Sequence, residues 1–272
     1  MTDLLEAVAA RLRSHLATPT VERITVGDAA ILVEVRNGGV ESAGVAHRPA
    51  GEPPMTDDPD VESLLAAATE HRNASTNGHS ARAVGIAAMN ALSAPLVDWR
   101  TGDPMALLAD DVERITTVGL FTPAFRKFDD VAVRVIERDP VDDVATPPGV
   151  TVRTFTPPET DAAMSGAEVV FVTGSAFIYG GVERYLDAAP PDATVVVIGA
   201  TASFLPEPLF DAGVDVVAGA LVSDRDAVRA AIQRGDCGTD LHDAGLQKVY
   251  AAVDRPAGVR LDETNGSETT NL

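Results

Sequence analysis

Hydrophobic positions change rhythm about a third of the way along this chain. Over "DLLEAVAARLRSHL" (3–16) apolar residues recur at helical spacing and predict a first helix. "VERITVGD" (21–28), "AAILVEVRN" (29–37) and "GVESAGVAH" (39–47) then predict three successive strands. Asn37-Gly38-Gly39 between the last two is a hairpin signal. After a Pro/Gly/Asp loop, Asp60 is placed to cap a helix over "VESLLAAATEH" (61–71), and Ser80 to cap one over "HSARAVGIAAMNALS" (79–93). The second helix is dense in Ala and Gly, which lets neighbours approach closely. Helix, three-stranded meander and helices make an α+β unit of residues 1–97.

From residue 98, after the connection "VDWRTGDPMALLADD", strands alternate with short loops or helices. The predicted strands are "ERITTVGLF", "VAVRVIERD", "GVTVRTF", "AEVVFVTG", "ATVVVIGA" and "VDVVAGA". Near-continuous Val/Ile runs of this kind belong to a parallel sheet covered on both faces, so residues 98–253 predict a doubly wound α/β unit. "HDAGLQKVYAAV" (242–253) is expected to close it as a last helix. The polar residues 254–272 are expected to form a flexible tail. No internal repeat is present.

Composition narrows the function classes. The longest apolar runs are strand-sized, far short of the roughly 20 residues of a membrane span. The N-terminal helix does not have the form of a signal peptide, so a cytoplasmic location is expected. The chain of 272 residues carries 41 acidic and 21 basic residues, a net charge of −20. Such a field repels phosphate backbones and argues against nucleic-acid partners. Only Lys127 and Lys248 are lysines. An acid-rich, lysine-poor surface suits molar salt, where screening over about 3 Å removes self-repulsion, so a halophilic source is expected. Cys237 is the single cysteine. It can form no internal disulfide and completes no C-x-x-C pair for zinc.

In an open α/β sheet, ligands bind beyond the carboxyl ends of the strands, near the point where strand order reverses. Two of the loops there carry glycine and small hydroxyl residues: Thr173-Gly174-Ser175 and Gly199-Ala200-Thr201-Ala202-Ser203. Their backbone N–H groups are candidates to face an anionic ligand at a helix start; the same small residues would also serve merely to permit tight turns. Neither G-x-G-x-x-G nor a P-loop is present, and Pro123 with two phenylalanines occupies the first βα turn where a dinucleotide site needs glycine. Glu137 ends the second strand, the position of a ribose-binding acid, yet a local surface ion pair among Glu137, Arg138 and Asp139 explains it better. His71 and His79 flank "RNASTNG" without metal-site spacing. No catalytic triad can be named, and neither can a metal-ligand set.

Five stretches occur together in order: "SARAVGIAAMNAL", "TVGLFTPAF", "AEVVFVTGSAFIYGGVERYL", "VVVIGATASFLPEPLF" and "GVDVVAGALVSD". By these the chain resembles the DUF364 family, labelled a heavy-metal chelation domain, with a DUF4213 companion at its N-terminus, over most of residues 1–250. The resemblance implies an enolase N-terminal-like α+β domain followed by a Rossmann-like parallel-sheet domain, with the ligand site in the cleft between them. Its walls would include Arg82, Gly85 and Asn90 on one helix and Gly119 after the first α/β strand. Opposite would lie Thr173, Gly174, Ser175 and the loop with Gly199 and Thr201. The family usually continues to Asn-Gly-Thr, whereas this chain has Tyr179-Gly180-Gly181, a phenol in place of the amide.

Three functions follow as expectations. One is a binding protein for a metal ion or a metal-containing small molecule, with oxygen and nitrogen donors because Cys237 stands alone. Another is an enzyme acting on a small anionic or metal-complexed substrate with an adenosine-containing cofactor, Arg82 clamping the anion and Ser175 or Tyr179 donating hydrogen bonds. The third is a structural or regulatory homo-oligomer with a vestigial cleft.

Overall fold

The computed structural model describes residues 3–51, 59–70, 76–139, 141, 144–253 and 256–261. Helix α1 (Leu4–Arg13) starts on Asp3, whose carboxylate accepts the Leu5 N–H at 2.8 Å. Strands β1 (Thr20–Val26), β2 (Ala30–Asn37) and β3 (Val40–His47) form the expected antiparallel meander, in the order β1-β2-β3. In the β2–β3 turn Gly38 and Gly39 take φ of 57° and 87°, the two positive values that a two-residue hairpin loop requires. Asp60 caps α2 (Val61–Thr69) by accepting the Ser63 N–H at 2.7 Å. Helix α3 (Thr76–Ser93) begins before the expected cap, so Ser80 is a buried interior residue; tertiary packing extends the helix past its sequence signal.

The small residues of this unit sit where backbones touch. A Cβ on Gly44 of β3 would stand 2.3 Å from the Ala87 carbonyl oxygen of α3, and one on Gly85 of α3 would stand 2.4 Å from the Leu64 carbonyl oxygen of α2. Strand β2 is buried on both faces. Ile31, Val33 and Val35 pack with α1, α2 and α3, while Ala30 and Leu32 join Ala220, Val228 and Ile232 of the larger unit. Alternation of facing along a strand therefore explains the apolar run "AAILV" that precedes Glu34.

The larger sheet contains β4 (Arg100–Thr101), β5 (Arg114–Val118), β6 (Ala132–Ile136), β7 (Thr151–Phe155), β8 (Val169–Thr173), β9 (Thr194–Ile198), β10 (Val216–Val222) and β11 (Leu246–Ala252), in the order β4-β11-β10-β9-β8-β5-β6-β7. All six predicted strands, β5 to β10, are mutually parallel. Counted from β5 their order is 3-2-1-4-5-6, the doubly wound arrangement with its switch point between β5 and β8. Helices α4 (Thr160–Met164), α5 (Ala176–Tyr179), α6 (Val182–Ala188), α7 (Glu207–Phe210), α8 (Arg225–Gln233) and α9 (Thr239–Asp243) connect the strands. The largest cluster of buried side chains includes Leu65 and Met89 of the small unit together with Val170, Phe177 and Phe204 of the large one. The two units thus share a core.

Two expectations are corrected. Residues 242–253 are not a helix: α9 stops at Asp243, Gly245 takes φ 112°, and β11 pairs antiparallel with β10. The open edge of β10 supplies a partner that suits Leu246, Val249 and Tyr250, and this overrides local helical spacing. The tail expected from residue 254 includes an anchored segment. Val259 is buried, the Gly258 N–H reaches Thr194 Oγ1 at 3.1 Å, and the Arg260 N–H reaches the Leu107 carbonyl at 2.7 Å. No helix among the described residues is long and apolar enough to cross a membrane.

Candidate functional site

Beyond the carboxyl ends of β5, β6 and β8 the chain leaves a cleft of about 210 Å³, lined by Gly119, Glu137, Arg138, Thr173, Ser175 and Tyr179 among others. Gly119 adopts φ 98°, and a Cβ there would lie 3.1 Å from Thr173 Cγ2, so glycine lets the β5 and β8 loops close against each other. The Thr173 and Ser175 hydroxyls are 3.0 Å apart. Helix α5 is a single turn of four residues ending at Gly180. Its dipole is correspondingly short, and the expected anion-attracting helix start at Thr173 is corrected: the two hydroxyls, not a macrodipole, are what this loop offers. The Glu137 carboxylate accepts the N–H groups of Leu120 and Arg138, both at 3.0 Å, and so fastens the loop after β5.

Tyr179, one of the lining residues, is also met by Arg138 of the lining and by two histidines outside it. Its hydroxyl lies 3.1 Å from His47 Nε2 at the end of β3. His79, on α3, meets the phenol ring edge-on at 5.2 Å between centroids. The Arg138 guanidinium sits 3.5 Å from the ring centroid, a cation–π contact worth about 0.5–1 kcal/mol at an exposed position. Side chains from β3, α3 and the segment after β6 thus converge on one aromatic ring. The ring of His47 keeps a face open to solvent, yet burial by the packed wall behind it, followed by the Arg138 charge, pushes its pKa below the usual histidine value; the Ala29 carbonyl pulls weakly the other way. Desolvation, then Arg138 and Arg82, lower His79 likewise. Both imidazoles are held toward the neutral form, the form that ligates metals.

The remaining predicted residues stand behind this cleft. Arg82 donates to the Ala68 carbonyl at 2.9 Å and lies 3.7 Å from the Asp3 carboxylate, tying α3 to α1 and α2. Gly85 is the α2–α3 crossing described above. Asn90 is buried, and its amide N–H₂ reaches the carbonyls of Val45 (2.8 Å), Ala200 (3.0 Å) and Thr201 (3.2 Å), while its Oδ1 has no partner. Thr201 accepts the His47 N–H at 2.9 Å. Together Asn90 and Thr201 fasten the meander to the loop after β9 and set the position of His47. A Cβ on Gly174 would stand 2.8 Å from the Ala202 nitrogen, so this glycine packs two sheet loops together. Gly199 faces a different hollow, beside β10. Of the ten predicted residues, Gly119, Thr173, Ser175 and Tyr179 line the switch-point cleft together.

Sequence reasoning assigned neither His47 nor Arg138 to the site and considered His79 only beside His71, which lies outside the described residues. The usable signal was positional: His47 and Arg138 each stand at or just past a strand end. Cys237 is exposed, and the described residues contain no group of three His, Cys, Asp or Glu able to hold a metal ion. A bare ion held wholly by the protein, or a thiolate sink, does not fit these residues. Two imidazoles with lowered pKa and one guanidinium instead border the same phenol ring.

A family model described as "Putative heavy-metal chelation", DUF364, matches residues 103–251. A solved DUF364-family protein of unknown function from Pyrococcus horikoshii superposes with a TM-score of 0.77 at 19% identity, covering 92% of this chain and 100% of that one. Another, from Desulfitobacterium hafniense DCB-2, gives 0.70 at 14% identity over 92% and 99%. At these identities the likeness is one of fold. No curated protein matches the chain.

Proposed function

We propose, from the premise that this chain belongs to the DUF364 family, that it binds a metal carried by a small organic chelate in the β5–β8 switch-point cleft. The observation that carries this reading is the meeting of His47, His79 and Arg138 around Tyr179. Neutral imidazole nitrogens are donors to intermediate metals, and a guanidinium suits the carboxylates that chelating molecules present. Two nitrogens fall short of a closed four-ligand site, so the chelate would supply the rest. The volume of about 210 Å³ is below the roughly 300–1,000 Å³ of drug-sized sites, which favours a compact chelate. Residues 1–97, outside the family match, form on this reading the DUF4213-like, enolase N-terminal-like wall that contributes His47 and His79; residues 98–253 form the sheet wall.

An enzyme with an adenosine-containing cofactor is the second reading, favoured by the 3-2-1-4-5-6 strand order. Against it, each oxygen of Glu137 already accepts one backbone N–H group, which leaves a ribose only the remaining lone pairs. The test is elemental analysis and mass spectrometry of small molecules released from protein purified in molar salt without chelators or affinity metals. Metal with an organic ligand supports the first reading. An adenosine compound without metal supports the second.

A further inference from the structure

On the other side of the Leu120–Phe121 segment, at the carboxyl ends of β5 and β9 and beside the middle of β10, lies a larger cavity of about 480 Å³. Part of its wall is apolar, from Met105, Phe121, Pro123 and Val249. The rest contains Arg126, Lys127, Lys248 and His242, and Asp103 is the sole carboxylate among its described lining residues. In a chain of net charge −20 with only two lysines, both lysines stand here. Their ammonium groups meet the same oxygen, Asp103 Oδ2, at 2.6 and 2.7 Å.

That arrangement is built. Lys127 ends a 3₁₀ segment (Thr122–Lys127) after β5, Lys248 is on β11, and Asp103 caps the turn Pro104–Ala106 by accepting the Met105 N–H at 3.1 Å through Oδ1. The cap fixes the carboxylate so that Oδ2 faces both lysines. Burial alone would raise the Asp103 carboxyl, but hydrogen bonds and charge from Lys127 and Lys248 outweigh it and hold it below the usual carboxylate range. One negative charge therefore faces two ammonium groups, each with three N–H donors, and Arg126 adds a further positive charge.

We infer that this cavity is a second binding site, which takes an organic anion with an apolar body: its carboxylate or phosphate engages Lys127 and Lys248 alongside Asp103, and its hydrophobic part lies along the Phe121 and Pro123 wall. A volume of about 480 Å³ falls within the roughly 300–1,000 Å³ of small-molecule sites, and lysine is a compact point charge suited to phosphate. The site is independent of the metal-chelate reading, since it uses none of His47, His79, Arg138 or Tyr179.

Calorimetric titration with phenyl phosphate in molar potassium chloride tests it. The full-length chain is compared with K127Q, K248Q and D103N, each checked for fold by circular dichroism. Asn at 103 keeps the turn cap and removes the competing charge. One molecule per chain is expected. Either lysine variant should weaken binding about tenfold, the loss of one charged hydrogen bond. D103N should tighten binding, a change that a purely structural Lys–Asp–Lys bridge would not give. Y179F should leave the affinity unchanged. No saturable binding, or equal affinities in the lysine and aspartate variants, overturns the inference; so does a loss confined to Y179F.

Discussion

Replacing Arg229 by Met should reveal how firmly the meander is held to the large sheet. Glu34 is the one acid of strand β2, and its two oxygens meet Arg229 Nε at 3.0 Å and Nη2 at 2.6 Å. The side chains are 7% and 16% exposed. The second partner of Arg229, Asp226, is 91% exposed and adds little. Hydrogen bonds to Glu34 and then Asp226 raise the Arg229 pKa further above its ordinary value, so the guanidinium stays charged. Removing one side of a fully buried pair costs roughly 3–5 kcal/mol. This pair opens on a hollow of about 460 Å³ also lined by Glu22 and Glu41, so water reaches one side and the cost falls to about 2–3 kcal/mol. Urea unfolding in molar salt, followed by fluorescence of Trp99, the single tryptophan, measures it. Arg229→Met should lose that amount, while the double variant with Glu34→Met, which strands no charge, should recover most of it. A loss below about 0.5 kcal/mol in the single variant, or a double variant no better, would refute the reasoning.

Three further outcomes follow. The excess of acid (41 against 21 basic residues) makes the fold more stable in molar potassium chloride than at low salt; a higher melting temperature at low salt rules this out. Because the folded-state pKa values of His47 and His79 are lowered, the unfolded chain takes up protons that the folded chain refuses. Their contribution is therefore neutral above about pH 6.5, turns destabilising as pH falls through that value, and levels off below the folded pKa values. The difference in unfolding free energy between wild type and His47→Gln/His79→Gln, followed across that window, should change with this sign. Gly44→Ala forces β3 away from α3, since the new methyl would lie 2.3 Å from two backbone atoms. Overpacking of this kind costs about 1–3 kcal/mol or more, seen as a melting temperature lowered by several degrees, whereas Gly39→Ala in the open hairpin turn should introduce no comparable clash.

The parallel strands were legible because both-face burial writes itself as near-continuous valine and isoleucine, and the hairpin because two successive glycines readily take the two positive φ values its turn requires. Strand β11 was not: "QKVYAAV" has mixed spacing, and what decides it is the open edge of β10, an element distant in sequence. The candidate site was half legible. Gly119, Thr173, Ser175 and Tyr179 follow from the rule that clefts form at strand ends. Asn90 was foreseen as polar and near the cleft, yet three backbone carbonyls claim its amide. His47 and Arg138 lie in different units and meet only when β3 docks beside the large sheet, so no local pattern could join them to Tyr179. The same holds for Asp103 and Lys248, 145 positions apart.

On the proposed function, the imidazoles beside Tyr179 receive a metal already held by an organic ligand. Electron paramagnetic resonance during titration with copper(II) iminodiacetate, a chelate that leaves coordination positions open, tests this most directly. The account predicts one complex per chain with nitrogen couplings from imidazole, lost in His47→Gln/His79→Gln and unchanged in Lys248→Gln. An identical spectrum from the histidine double variant would contradict it.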